Sequence, residues 1–204
     1  MAVSFDLFGT LVRAPKPDDS ARAIAAELES RGVTVPDGWE EAYRTPQIDA
    51  PEGAEVPLPA HVARALSACG VEAPGNVARR AVIAAFDPTV ETREGATEAL
   101  AAAREHGPVG LLSNCSVPEL VARTLIRAGL RGEFDAVVTS VGCGWRKPHP
   151  EAFEAVATGL DRPVADLTHV GDSPEDGGIE ACGGRAILLD GVALSEVPAL
   201  LGGR

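Results

Sequence analysis

Lysine is what this sequence has least of among its charges. Of eighteen basic residues only Lys16 and Lys147 are lysine, and thirty acids leave a net charge of −12. So acidic a chain, with no cluster of Lys and Arg, lacks the basic face that nucleic-acid binding requires. It also steers anionic ligands poorly from a distance, so an anion must be captured locally, by a placed cation or a metal. The Arg-for-Lys bias fits a GC-rich genome or a salt-rich cytoplasm, and either way it makes Lys147 conspicuous. Cysteine is sparse too: Cys69, Cys115, Cys143 and Cys182 show no CxxC spacing, which argues against a disulfide framework or zinc site and for reduced thiols. No apolar run reaches bilayer-spanning length, and the sequence enters its first strand at once, without room for a leader. The expectation is a cytoplasmic protein that contacts no membrane.

What is present is a globular composition, long enough at 204 residues for one domain carrying a modest insertion. The opening stretch 3–12 reads as a buried strand that ends on Asp6, with a Gly-Thr turn after it. Residues 13–90 hold helical patterns at 20–31, 39–43, 60–68 and 75–86, a proline-rich loop at 45–59, and no convincing strand. From 94 onward helices and short β-rich runs alternate, with strands expected at 109–112, 136–139, 168–170 and 185–189. That alternation predicts an α/β fold with a doubly wound parallel sheet and right-handed crossovers. The first strand should return to the middle of the sheet. The domain expectation is a core of 1–12 and 91–204 with a small all-helical insertion at 13–90.

Several strand ends carry polar residues at the sheet's carboxyl edge, where open α/β sheets place their chemistry. Asp6 ends the first strand. Leu111-Leu112 runs into Ser113-Asn114, a hydroxyl and an amide able to hold an oxyanion or to cap the next helix. Lys147 follows a strand within a Gly-rich loop, suited to neutralising charge on a phosphoryl group. In HVGDSPEDGG, Asp172 ends a strand and Asp176 comes four residues later. Paired carboxylates in such a turn suit Mg²⁺, which takes one or two carboxylates and keeps several waters.

Asp6 in DLFGT, Ser113 in LLSN, Lys147 in RKPHPEAF and Asp172 with Asp176 in GDSPED together resemble the four motifs of the haloacid dehalogenase-like hydrolase superfamily, in order and spacing. The resemblance implies its Rossmann-like core, and the insertion falls where that superfamily carries a cap domain. It further implies that Asp6 is the nucleophile of a phosphoric monoester hydrolase, forming an aspartyl-phosphate that water then hydrolyses. Mg²⁺ would be held by Asp6, the Phe8 carbonyl and Asp172, with Asp176 supporting through water. Ser113 and Lys147 would hold the phosphoryl oxygens, and a small phosphorylated substrate would lie against Phe8, Gly9, Thr10 and Asn114. Monomer and homodimer are both compatible with the sequence.

Phe8 departs from the pattern. Phosphatases of the superfamily carry a second Asp there as general acid and base, help that is typically worth about 10²–10⁴-fold in rate. Three readings follow: a phosphatase that is slow, has an easy leaving group, or uses another donor such as His149 or Glu175; a 2-haloacid dehalogenase-like hydrolase with the same nucleophile; or a non-catalytic phosphate or metabolite binder. The metal-free dehalogenases carry uncharged residues where this chain has Val170-Gly171-Asp172, and a second carboxylate beside Asp6 calls for a cation. Phosphatase is therefore the expectation. Arg22, Tyr43 and Arg44 are the residues of the insertion singled out as substrate contacts, though ordinary helix surface explains each.

Overall fold

The computed structural model describes residues 1–203. Its centre is a five-stranded, all-parallel sheet. In chain order the strands are β1 (Ala2–Phe5), β4 (Val109–Ser113), β5 (Ala136–Thr139), β6 (Leu167–Gly171) and β7 (Arg185–Leu188), and in space they run β5-β4-β1-β6-β7. Two further short strands, β2 (Val12–Arg13) and β3 (Glu91–Thr92), pair antiparallel outside that sheet. Every residue of β1, β4 and β6 is buried, which is why these central strands read as mainly apolar runs rather than as strict alternation. The edge strands show more solvent, as at Val137 and Leu188.

Alternate residues of β1 feed two separate apolar layers. Val3 and Phe5 join Val109, Leu111 and Val170 under α5 (Ala96–His106), α6 (Leu120–Arg127) and α9 (Val197–Gly202). Ala2, with Leu112 and Leu167, packs on the opposite face beneath α8 (Pro150–Gly159) and Ile179 of the 3₁₀ helix Pro174–Cys182. A short α7 (Ser140–Cys143) follows β5. The chain leaves β1 toward β4 and β5, then crosses back to β6 and β7, so the order reverses at β1. The crevice beyond its carboxyl end is the switch point where such sheets bind ligands.

Four helices lie between β2 and β3: α1 (Ser20–Glu29), α2 (Trp39–Arg44), α3 (Leu58–Ala68) and α4 (Val77–Ala85). They pack on one another, and their buried face, including Ile24, Leu28, Val62 and Leu66, is continuous with the apolar layer on β1. The β2–β3 ribbon at their root was not expected. Two residues per strand are too few to show a period, and only the pairing of Val12 with Thr92 and Arg13 with Glu91 reveals them. A second connection comes from the proline-rich loop. Glu55 N donates to Gly144 O at 2.8 Å and Arg146 N to Gly53 O at 2.9 Å, and Ala54 bridges Trp145.

Phe153 of α8 is fully buried and stands edge-on to His169, with centroids 5.6 Å apart. Phe153→Ala is expected to destabilise the fold by about 3–5 kcal/mol in urea unfolding, the range for deleting a buried aromatic ring. A loss below 1 kcal/mol would show that this layer collapses around the gap.

Candidate active site

Asp6 is the first residue beyond β1, and its N–H still donates to Val170 O at 2.9 Å, so the sheet fixes its backbone. The chain then closes a tight turn, with Leu11 N and Val12 N both bonded to Leu7 O. Gly9 lies in this turn at a φ of +91°. A Cβ there would sit 2.2 Å from Asp172 Oδ2, so glycine is required both by conformation and by the closeness of that carboxylate. Thr10 Oγ1 donates to Asp172 Oδ1 at 2.9 Å. A carboxylate from the end of β6 therefore rests on the backbone just after Asp6.

Lys147 reaches the same place from the loop between α7 and α8. Its side chain is 2 % exposed, and Nζ donates to Asp6 Oδ1 at 2.8 Å, Asp176 Oδ1 at 2.6 Å and Leu112 O at 2.8 Å. All three ammonium donors are thus matched. Asn114 clamps the lysine's backbone, accepting from Lys147 N at 2.8 Å and donating to Lys147 O at 3.0 Å. Asn114 thus positions Lys147, and it also lines the cavity beside Phe8, where the sequence pointed to substrate contact.

Asp176 is fully engaged. Beyond Lys147, its Oδ1 meets His169 Nε2 at 3.0 Å, and Oδ2 accepts from Ser173 N at 2.9 Å and Ser173 Oγ at 3.1 Å. A carboxylate only accepts, so His169 carries its proton on Nε2, and Nδ1 accepts from Ser4 Oγ at 2.7 Å. Ser4, His169 and Asp176 have the composition of a nucleophilic triad, but Ser4 is wholly buried inside the central strand. The chain of bonds orients Asp176 instead. Sequence reading passed over Ser4 and His169; the available sign was two polar residues inside otherwise apolar buried strands. It also passed over Arg93, whose guanidinium bonds the carbonyls of Gly9 and Thr10 and braces the turn.

The electrostatics follow from burial. Desolvation pushes the Asp6 carboxyl up to about 6, with Lys147 pulling it down and Asp176 pushing it further up. Asp176, although also desolvated, is held well below the carboxylate range by His169 and Lys147. Desolvation lowers His169 to about 4, leaving it neutral at physiological pH. The buried cluster then carries one positive charge against two carboxylates, with Asp172 alongside.

That surplus, the all-oxygen donor set and the cradle that Gly9 leaves for Asp172 suit a hard divalent cation. Among the described residues no three His, Cys, Asp or Glu side chains converge as a metal cage. An ion here would keep several waters, as Mg²⁺ does. Ser113 is buried and its Oγ has no hydrogen-bond partner, a deficit that costs about 1–3 kcal/mol until something fills it. Phe8 lines a cavity of about 430 Å³ between the sheet's edge and the helical segment, together with Tyr43, Asn114 and Arg146. Arg22 and Arg44 lie apart from this cavity, beside Trp39. His149 and Glu175 do not line it either: His149 stacks on Trp145 at 4.0 Å and Glu175 is exposed.

At the switch point of this parallel sheet a buried carboxyl, Asp6, thus meets a buried lysine, Lys147. The sequence matches the haloacid dehalogenase-like hydrolases over residues 1–179, and the chain belongs to that family. Among solved structures it is similar to a 2-haloacid dehalogenase from Pseudomonas syringae pv. tomato DC3000, with TM-score 0.71, 19% identity, and 98% of this chain and 97% of that one covered. It is similar also to a predicted phosphoglycolate phosphatase from Haemophilus somnus 129PT, with TM-score 0.59, 16% identity, and 98% and 97% covered. CbbY from Rhodobacter sphaeroides in complex with phosphate matches at TM-score 0.58 and 21% identity, with 92% and 84% covered. No curated protein sequence matches the chain.

Asp6 gives a test of the cluster through stability alone. Its folded pKa of about 6 lies above the ordinary 3.8, so the stability linked to its protonation is present below that value and lost as pH rises through about 6. His169 has the opposite sign, losing stability as pH falls from 6.5 toward about 4, but it is common to wild type and variant. Without metal, Asp6→Asn is therefore expected to exceed wild type at pH 7 by on the order of 2–3 kcal/mol. The gap should close near pH 4; equal stabilities at pH 7 would contradict the charge surplus.

Proposed function

We propose that the protein is a Mg²⁺-dependent phosphoric monoester hydrolase acting on a small phosphorylated metabolite through an aspartyl-phosphate on Asp6. The observation that carries this reading is the Asp172 carboxylate lying on the Gly9 turn: attack on carbon has no use for a second acid there, whereas a cation beside a phosphoryl group does. Asp6 Oδ attacks phosphorus as the P–O ester bond breaks and the alcohol departs with a proton from solvent. Water then attacks the same phosphorus, releasing phosphate and restoring Asp6. Lys147, delivered by Asn114, meets the charge on the transferring oxygens, and the unpaired Ser113 hydroxyl supplies a donor for one of them. Mg²⁺, held by Asp6, the Phe8 carbonyl and Asp172 with Asp176 behind water, would neutralise the remainder. Residues 13–90 serve as the cap, closing over a core formed by 1–12 and 91–204. Cytoplasmic placement accords with four unpaired cysteines.

Phe8 specifically favours a second reading, 2-haloacid dehalogenation. Asp6 would attack carbon and expel halide, which needs neither a metal nor a proton donor, against an aromatic wall. The two separate in one experiment: purified protein given p-nitrophenyl phosphate and 2-chloropropionate, each with Mg²⁺ or chelator. Phosphate release that requires Mg²⁺ is expected, and halide release indifferent to chelator would overturn the phosphatase reading. Mg²⁺ binding with turnover of neither points to a binder. In the phosphatase, Asp6→Asn abolishes phosphate release. Phe8→Asp, which restores a proton donor, is expected to raise kcat by up to about 10²-fold; a fall would show that Phe8 is needed to seat the substrate.

A further inference from the structure

The cavity beside Phe8 has largely apolar walls, among them Leu58, Phe86, Val117 and Leu120, and three charged residues reach it: Lys16, Asp87 and Arg146. Two of the three are already compensated. Asp87 meets Arg127 at 2.6 Å and Arg123 at 3.6 Å. Arg146 donates to Glu55 at 2.7 Å, and that glutamate is buried. Lys16 alone has no hydrogen-bond or ion-pair partner among the described residues. The acids that follow it do not line the cavity, and Asp19 is occupied in capping α1 through Arg22 N at 3.0 Å. An exposed lysine is ordinarily just solvated. Lys16 differs in standing between Pro15 and Pro17, both on the cavity wall, with its own backbone narrowed by the proline that follows it. Of the chain's two lysines, one is buried against Asp6 and the other is left uncompensated at an apolar cavity.

Taking Asp6 as the phosphoryl acceptor, a premise that rests on the reading above, we propose that the substrate carries a second anionic group, carboxylate or phosphate, joined to the phosphoester by an apolar body, and that Lys16 binds this group. The phosphoryl end meets Lys147 and Ser113, the body fills the cavity beside Phe8 and Phe86, and the second anion reaches Lys16. In so acidic a chain a placed cation is needed to retain a doubly anionic ligand at all.

Phenyl phosphate and 4-carboxyphenyl phosphate differ only in the second anion, and 1,4-phenylene bisphosphate replaces the carboxylate with phosphate. Wild-type protein is expected to favour a doubly anionic ester over phenyl phosphate by about tenfold in kcat/KM, through KM, as for one charge-assisted contact at a partly solvated site. Whichever of the two esters is preferred identifies the anion. Lys16→Gln should bring the ratio near one, and Lys16→Arg should keep it. A ratio near one in wild type, or one that survives Lys16→Gln, overturns the proposal. Calorimetric binding to Asp6→Asn protein, alone and with Lys16→Gln, separates this from the phosphatase reading. A Lys16-dependent gain in affinity without turnover of any ester leaves the anion site standing and removes the phosphatase. Equal affinities remove the anion site whatever the turnover.

Discussion

A single ammonium group held away from water sets the terms for this structure. Lys147 could not be buried alone at little cost, because an unpaired charge in an apolar interior costs several kcal/mol, a large share of a domain's whole stability. Its three donors are met by residues from three places: Asp6 at the end of β1, Leu112 in β4, and Asp176 after β6. Satisfying the lysine therefore fixes the relative positions of the strand ends that form the crevice. Asn114 holds the lysine's backbone, while His169 and Ser4 hold the acid behind it. Pairing that folding requires is the same pairing that arranges the chemistry.

The arrangement is not neutral, and it is not meant for stability. Two carboxylates share one lysine, and a third rests on the adjoining turn. The excess falls on Asp6, whose carboxyl is the one displaced upward, while Asp176 is displaced downward. A carboxylate whose ionised form is disfavoured by its surroundings is a group that gains when an incoming cation or electrophile takes up its charge. That is how a functional site differs from a structural ion pair of the same residues.

Much of this was legible beforehand, for physical reasons that can be named. Parallel strands buried on both faces write themselves as apolar runs, so the sheet and the return of β1 to its centre were readable, as were the strand-end acids Asp6 and Asp172. Lys147 was found because lysine is rare here. The β2–β3 ribbon was not readable, since two-residue strands have no period. That Asn114 also clamps the Lys147 backbone was not readable, because sequence shows that an amide is nearby, never which backbone it faces. Ser4 and His169 were hidden by their small share of strands that otherwise look purely apolar. Phe8 was read as a missing acid, and the structure adds that it is also a wall of the cavity. Relatives of both chemistries share this fold at similar, low identity, so the fold carries either reaction. Within this chain the sequence argument for choosing between them rests on Phe8 and Asp172.

The contact between the proline-rich loop and the 144–146 segment has a mechanical meaning. The helical segment is joined to the sheet at its root by the β2–β3 ribbon and, far along the chain, by backbone bonds from Gly53 and Glu55 to Gly144 and Arg146. The segment is thereby fastened to the sheet at two separate edges. The second fastening sits one residue away from the lysine, so the loop of the helical segment and the charge cluster share a single stretch of backbone.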